Sequence, residues 1–232
     1  MCRRFSLDLD WNTVASDFGV DDEDVDTYAL PARTFRVEPK QTIVVLAAGE
    51  DGRRHLSGGY WSLVPSYSDK RELTYPTYNA RMETAAQKPT FKDAMRSRRA
   101  IIPASGYFEF KGRRPFYFHA QGDAMLAMAG LFSWWRDNAD SPWTLTATIL
   151  TCDAIEEAAK IHNRMPLLVS RDMTGQWLDR HVDGSGIIDD IHAASLSMSE
   201  NLDCYEVAEP APEEDGPRCI RPKAERVCLS LF

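Results

Sequence analysis

Residues 100–120 read AIIPASGYFEFKGRRPFYFHA, and this stretch carries the strongest indication of the fold. Apolar and aromatic residues form three short runs, at 100–102, 107–110 and 116–119, separated by small or charged residues typical of turns. Each run has the length of a β-strand, and no helical pattern lies between them. The strand–helix alternation of a parallel sheet is therefore absent, which favours an antiparallel or mixed sheet.

The same pattern continues on both sides of this stretch. Further strands are predicted at 42–46, 56–64, 124–132, 143–150, 166–169, 205–208 and 227–232. Helices are predicted at 11–18, 90–99, 153–162, 171–178 and 189–196, with Thr90 and Asp153 as N-caps. We therefore expect an α+β fold with an antiparallel or mixed, barrel-like β core and peripheral helices. No internal repeat or strong linker interrupts the sequence, so a single domain over residues 1–232 is expected.

The composition is that of a folded soluble protein. The 232 residues are enough to bury a core without disulfides, and 44% of them are apolar and 27% charged. No run approaches the roughly 18 apolar residues of a membrane helix, and the N-terminus lacks the apolar stretch of a secretory signal. Five cysteines without a CxxC pair argue against a disulfide framework and a zinc site. We expect a cytoplasmic monomer that has no metal or cofactor and does not associate with membranes.

The charge is unevenly distributed along the chain, whose net charge is −8. Residues 27–120 contain 16 Lys and Arg against 8 Asp and Glu, whereas the rest of the chain contains 11 against 27. A basic region of this kind fits nucleic-acid binding, and it equally fits two solvated faces of opposite sign. Charge alone therefore leaves a nucleic-acid partner open.

Cys2 stands where removal of the initiator methionine would make it the first residue. It would then carry an α-amine and a thiol on adjacent carbons, and an α-amine has a pKa of about 7.7 to 8.0. Such a pair condenses with an aldehyde to an imine, and the thiol then closes a thiazolidine ring. A cysteine at position 2 also occurs by chance, so this chemistry needs support from other residues.

Three further segments carry polar side chains suited to catalysis. Asn79, Arg81 and Glu83 alternate, so an extended chain would place them on one side, although an ion-paired edge strand gives the same pattern. Glu109 lies among aromatic residues; if it faces inward, burial would raise the pKa of its carboxyl into the range of an acid–base catalyst. His162 follows a predicted helix, where it could shuttle protons or interact with the last carbonyls of that helix.

Together and in this order, the segments resemble one family, the SOS response-associated peptidases, also described as abasic-site processing proteins. The resemblance runs from residue 1 to about residue 178, and the region of about 180–232 contributes little to it. It depends on five motifs, Met1-Cys2-x-Arg4-Phe5, Trp61-x-Leu63-Val64-Pro65-Ser66, Asn79-Ala80-Arg81-x-Glu83-Thr84, Gly106-Tyr107-Phe108-Glu109-Phe110 and His162-x-Arg164-Met165-Pro166.

The resemblance implies a protein that binds single-stranded DNA and forms a thiazolidine cross-link to abasic sites through Cys2. It implies that Asn79 holds the Cys2 amine or the sugar. Glu109 and His162 would move protons during cross-linking and during a lyase-type reversal. Arg4 and Arg81 would hold phosphates, and the segment 61–65 would wedge against a base. The residues implied to contact DNA are Arg4, Trp61, Pro65, Arg81 and Arg164.

The sequence departs from the family pattern at several positions. Arg3 replaces a glycine, Tyr67 replaces a tryptophan, and Arg36 and Lys40 replace the asparagine and glycine of an Asn-x-x-Pro-Gly stretch. Two other functions therefore stay open. Cys2 could belong to a thiol autopeptidase that removes Met1, or the chain could be a single-strand DNA-binding module without chemistry.

Overall fold

The computed structural model describes residues 2–211 and 213–223, and the strand predicted at 227–232 lies outside them. The strands are β1 (Arg4–Leu7), β2 (Thr34–Val37), β3 (Thr42–Ala48), β4 (Arg54–Trp61), β5 (Asn79–Arg81), β6 (Arg99–Ala104), β7 (Gly106–Lys111), β8 (Arg114–Ala120), β9 (Leu126–Trp135), β10 (Thr144–Asp153), β11 (Arg164–Pro166) and β12 (Leu202–Glu206). The helices are α1 (Trp11–Phe18), α2 (Met82–Ala85), α3 (Pro89–Ser97), α4 (Glu156–Ile161), α5 (Thr174–Leu178) and α6 (Ile188–Ser199). In this part of the chain, no helix has the length and apolar character needed to cross a membrane.

Five strands close into a barrel in the order β10-β4-β3-β6-β9, because β9 also pairs with β10 and completes the ring. β4 and β10 run parallel, and the other neighbours in the ring are antiparallel. β10 is long enough to extend beyond the ring, where β5 follows β4 along one edge and β11 follows β9 along the other. The mixed, barrel-like core predicted from the sequence is confirmed.

A second sheet, in the order β12-β8-β7-β1-β2, is antiparallel throughout. Its strand β1 lies between β7 and β2, so the backbone just before β1 is held at a defined place. Phe5 of β1 packs edge-on against Trp61 at the end of β4, with ring centroids 4.9 Å apart, and both side chains are fully buried. This contact joins the second sheet to the barrel.

The predicted helix at 11–18 agrees with the structure, and the two predicted N-caps, Thr90 and Asp153, do not. The helix predicted at 11–18 is confirmed as α1, which the Asp10 carboxylate caps. Thr90 is not an N-cap, because α3 begins one residue earlier with a proline, which needs no N–H partner in the first turn. Asp153 is not a cap either, because its pairing with Arg164 of β11 extends β10 to that residue.

Arg99 ties helices α3 and α5 to the barrel. It is only 2% exposed, and its guanidinium donates hydrogen bonds to the backbone carbonyls of Met95, Arg96, Trp177 and Asp179. The first two carbonyls lie at the C-terminal end of α3, and the other two lie at the end of α5. The buried charge is tolerated because its donors are occupied.

We expect Arg99→Met to lower the free energy of unfolding by about 3 kcal/mol, since four carbonyls lose their donor. Urea denaturation measures this change. The neighbouring Arg98→Met is the matched control, because the Arg98 Nε is buried without a hydrogen-bond partner in the described part of the chain. We expect this control to lose no stability, because it removes a half-buried cation that has no hydrogen-bond partner at Nε. Equal losses in both variants would contradict the role assigned to the carbonyl contacts.

Lys40 has a left-handed backbone conformation, with a φ of 73°. Glycine, which the family pattern has here, adopts such angles without strain, whereas a side chain costs about 1 kcal/mol or more. The turn is nevertheless formed, because Lys40 N donates to the carbonyl oxygen of Trp61 at 2.9 Å and the Lys40 ammonium pairs with Glu72. The departure from the family pattern is therefore accommodated as local strain.

We expect Lys40→Gly to be about 1 kcal/mol more stable than Lys40→Ala, because only glycine relieves the strain. Both variants lose the exposed ion pair with Glu72, so the comparison isolates the backbone term. Thermal and urea denaturation of the two variants measure the difference. Equal stabilities would mean that the turn relaxes to another conformation when the ion pair is lost.

Candidate active site

Cys2 lies directly before β1, and its side chain is fully buried. The Asn79 side-chain amide donates to the Cys2 carbonyl oxygen at 2.7 Å, and the Cys2 Sγ lies 3.6 Å from the carbonyl oxygen of Arg4. Asn79 begins β5, which pairs with β10 at Ile149. The second sheet and the barrel thus each contribute one side of this contact, and they fix the Cys2 backbone between them.

The Cys2 thiol is protonated at neutral pH. Burial is the main cause that raises the pKa of the thiol, and the negative charge of Glu109 raises it further. A protonated thiol is a poor nucleophile. A reaction at this thiol therefore needs a nearby group to accept its proton.

Glu109 of β7 is the group suited to accept the proton of the Cys2 thiol. It is only 2% exposed, and burial raises the pKa of its carboxyl to about 7. Its Oε2 lies 3.9 Å from Nδ1 of His162, and burial holds the pKa of His162 below its usual value. At neutral pH, Glu109 therefore populates both its acid and its base form beside an imidazole that is mostly neutral.

Arg164 supports His162 and does not point toward solvent. Its backbone N donates to His162 Nδ1 at 3.0 Å, which orients the ring. Its buried guanidinium holds both carboxylate oxygens of Glu83, at 2.8 and 2.9 Å, and Asp153 at 2.6 Å. Carboxylates therefore occupy the guanidinium donors of Arg164 in this structure, and its contact with DNA stays a prediction. Glu83 also does not share a strand face with Asn79, since it lies in α2.

Arg4 is likewise engaged within the protein. Its guanidinium pairs with Glu38 at 3.0 Å and with Glu209 at 3.0 Å, and Arg36 pairs with the same oxygen of Glu38 at 2.9 Å. The side chain of Arg4 also lies over the ring of Phe110. A phosphate could reach Arg4 only by displacing one of these carboxylates.

Trp61 and Pro65 are buried in this structure, and their contact with a base stays a prediction. Trp61 contributes to the site from within. Its indole N–H donates to the carbonyl oxygen of Tyr78 at 2.8 Å, next to Asn79, while its ring packs against Phe5. It therefore positions both segments that carry the Cys2–Asn79 contact, and it presents no face for stacking.

Two exposed arginines lie beside this centre, next in sequence to Cys2 and two residues from Asn79. Arg81 and Arg3 are exposed, and neither side chain makes a hydrogen bond or ion pair with another residue in the described ranges. Burial raises the pKa of Glu109, and the positive charge of Arg3 lowers it. At His162, burial and the charge of Arg3 both lower the pKa. Tyr67 and Tyr75, in the loop between β4 and β5, are 64% and 52% exposed.

The structure thus brings Cys2, Asn79, Glu109 and His162 into one centre and leaves Arg81 open beside it. Sequence reasoning missed the carboxylates that hold Arg4. Glu38 is 34 positions away from Arg4 and Glu209 is 205 positions away, and no local pattern connects residues so distant. Glu209 stands directly before an acidic, proline-containing stretch at 210–217, but only the fold shows which cation it meets.

We compare the free energies of unfolding of Glu109→Gln and wild type by urea denaturation at pH 5 and at pH 8. We expect the difference between variant and wild type to shift by about 2 kcal/mol in favour of the variant from pH 5 to pH 8. The folded state binds the Glu109 proton more tightly than the unfolded state does. Wild-type stability therefore falls as the pH rises from the usual carboxyl pKa near 4.5 to about 7. Glutamine is neutral at both pH values and escapes this loss.

Glu83→Gln is the control for this prediction, because its ion pair with Arg164 lowers the pKa of a partly exposed carboxyl. Glu83 is ionised at pH 5 and at pH 8, so this variant should lose the same stability at both. A Glu109→Gln variant with no pH-dependent difference from wild type would show that Glu109 is not desolvated.

The chain is similar to known proteins over most of its length. The profile of the family described as SOS response associated peptidase (SRAP) matches residues 1–210. Abasic site processing protein YoaM of Bacillus subtilis is 31% identical over 185 residues, which cover 77% of this chain and 79% of that protein. Abasic site processing protein YedK of Escherichia coli is 30% identical over 158 residues, which cover 66% of this chain and 68% of that protein.

The fold has a close counterpart among solved structures. A crystal structure of a protein from Bacteroides thetaiotaomicron superposes with a TM-score of 0.78 at 21% identity, over 96% of this chain and 100% of that one. This structural similarity shows the fold alone, whereas the sequence matches show the family. With the family profile covering residues 1–210, the chain belongs to the SOS response associated peptidase (SRAP) family.

Proposed function

We propose that this protein processes abasic sites in single-stranded DNA and becomes covalently attached to them through Cys2. The observation that carries the proposal is the single centre formed by Cys2, Asn79, Glu109 and His162. Relatives that share this family, among them YoaM and YedK, are named abasic site processing proteins. The aldehyde of a ring-opened abasic site is the electrophile that an N-terminal cysteine suits best.

The reaction has two bond-forming steps. The Cys2 amine, freed by removal of Met1, adds to the aldehyde carbon, and loss of water gives an imine. Sγ then bonds to the same carbon, the thiol proton passes to the imine nitrogen, and a thiazolidine ring closes. The amine acts first because burial keeps the thiol protonated. Ring closure is intramolecular and therefore fast relative to loss of the DNA.

Glu109 supplies the proton transfers in this scheme. With a pKa of about 7, its acid form can protonate the sugar ring oxygen during opening, and its base form can accept the proton of the amine or thiol. His162 lies within reach of Glu109 and can relay a proton to it. The same pair would support a lyase-type reversal, which returns the thiol proton and hydrolyses the imine.

Asn79 has a positioning role in the proposal. Its amide N–H holds the Cys2 carbonyl at 2.7 Å, while its Oδ1 is buried without a hydrogen-bond partner in the described part of the chain. A buried acceptor of this kind is costly unless a donor reaches it. A hydroxyl of the sugar or the free Cys2 amine would supply that donor.

We assign the DNA contacts to arginine side chains that are exposed and unpaired within the described part of the protein. Arg81 and Arg3 can each donate to a phosphate beside the lesion, and Tyr67 can stack on a neighbouring base. Arg4 would join them only if DNA displaced Glu38 or Glu209. Single-stranded DNA fits this arrangement, since an unpaired strand leaves both its phosphates and its bases accessible.

The proposal is tested with Met1-free protein and a single-stranded oligonucleotide that carries one abasic site. We expect wild type to give a heat-resistant, slower band on a denaturing gel and Cys2→Ala to give none. Cys2→Ser keeps the amine but lacks the thiol, so it should give only an imine that a borohydride must trap. Mass spectrometry of the protein confirms the loss of Met1 before each assay.

Cys204→Ser is the matched control, because it removes a half-buried thiol outside the site and should leave the adduct unchanged. An adduct of undiminished yield in Cys2→Ala would contradict the proposal. No adduct from Met1-free wild type would do the same and would favour a DNA-binding module without chemistry.

A further inference from the structure

A cavity lies at one open end of the barrel, which we call the barrel mouth. Its volume is about 370 Å³, and residues from all five strands of the ring, or directly adjoining them, line it. Val45 and Ser57 face each other across β3 and β4, and Trp134 and Leu145 do so across β9 and β10. Arg98 precedes β6 and completes the ring. A cavity of this size is large enough for a small organic ligand.

The cavity is separate from the Cys2 centre. Leu145 near the start of β10 lines it, whereas β5 of the Cys2 centre pairs with Ile149 to Thr151 farther along the same strand. Four residues of strand separate Leu145 from Ile149, the partner of Asn79, which corresponds to about 13 Å. A ligand in the mouth therefore does not touch Cys2, Asn79 or Glu109.

Arg98 places a positive charge in the cavity at the barrel mouth. Its side chain is half-buried, its Nε is buried without a hydrogen-bond partner, and its guanidinium pairs with no carboxylate among the described residues. The adjacent Arg99 differs, because it is fully buried and four backbone carbonyls occupy its donors. An unpaired cation at this depth is unfavourable on its own, and an anion in the cavity would compensate it.

Arg180 brings a second cation to the same space. It lines the cavity with Arg98, and the repulsion between the two adds to the effect of burial in lowering the pKa of Arg98. The carboxylate paired with Arg180 is that of Glu50, which lies 3.6 Å away and is 92% exposed. His55 also lines the cavity, but Asp24 and Asp51 face its ring. Two guanidiniums therefore line the cavity, and the carboxylates that act on them are those of Glu50, on Arg180, and of Asp93, on Arg98.

The remaining walls are apolar and aromatic. Phe132 and Trp134 alternate along β9 and line the cavity on its β9 side. Trp134 is 47% exposed, although its strand is otherwise largely buried, so one part of its ring is open to a ligand. An indole face beside a pair of guanidiniums suits a planar ring attached to a phosphate.

We infer that the barrel mouth binds a nucleotide, with its phosphate between Arg98 and Arg180 and its base against Trp134. The nucleotide is either free in solution or part of a DNA strand, since the same phosphate and base are present in both. The site is independent of the covalent chemistry, so it stands whether or not Cys2 captures abasic DNA.

Calorimetric titration of the full chain with deoxyadenosine 5′-monophosphate tests the inference. We expect binding that weakens as salt increases and becomes about tenfold or more weaker in Arg98→Met and in Arg180→Gln. Trp134→Ala should weaken the monophosphate but leave inorganic phosphate unchanged, because it removes only the contact with the base. Denaturation of each variant confirms that it remains folded.

Two controls separate this site from the rest of the molecule. Arg136→Gln removes a cation that lies over Trp143 outside the cavity, and it should bind the nucleotide like wild type. Cys2→Ala should also bind it normally, so failure of the proposed cross-linking would leave this result intact.

The source of the nucleotide is decided by competition. An undamaged, 5′-phosphorylated single strand that displaces the monophosphate identifies the strand as a ligand of the mouth, and absence of displacement identifies the free nucleotide. The inference is wrong if neither probe shows binding that Arg98→Met weakens.

Discussion

The edge-to-face contact between Phe5 and Trp61 is the interaction on which the rest of the site depends. Phe5 belongs to the strand that begins just after Cys2, and Trp61 ends a strand of the barrel. The indole N–H of Trp61 also holds the backbone next to Asn79. One buried aromatic pair thus sets the distance between the two segments that meet at Cys2. Aromatic pairs of this geometry contribute about 0.5–1.5 kcal/mol beyond their burial, but here the larger effect is alignment.

Desolvation is the common cause of the electrostatics in the centre. Burial favours the neutral form of the Cys2 thiol, of the Glu109 carboxyl and of the His162 imidazole. The three groups are therefore close to neutral together, and a proton can move between them without creating an isolated buried charge. The neighbouring arginines Arg4 and Arg164 are held by carboxylates, so their charges are compensated locally.

The sequence predicted much of the fold and the identity of the central residues, and it failed where contacts are distant. The runs at 100–120 and the helix at 11–18 were readable because their patterns are local. Asp153 was wrongly predicted as a helix cap because it pairs with Arg164, a residue of a later strand. The burial of Trp61 could not be seen in its sequence motif. The carboxylates on Arg4 and the unpaired state of Arg98 depend on residues brought together only by folding.

The burial of the Cys2 thiol also bears on how long the protein stays usable in a cell that contains peroxides. Oxidation to sulfenic acid, and from there to irreversible products, proceeds through the thiolate and requires access to the sulfur. Cys2 offers neither, because its side chain is enclosed and its proton is held tightly. Burial thus also protects the Cys2 thiol from oxidation, in a protein whose described cysteines are all free.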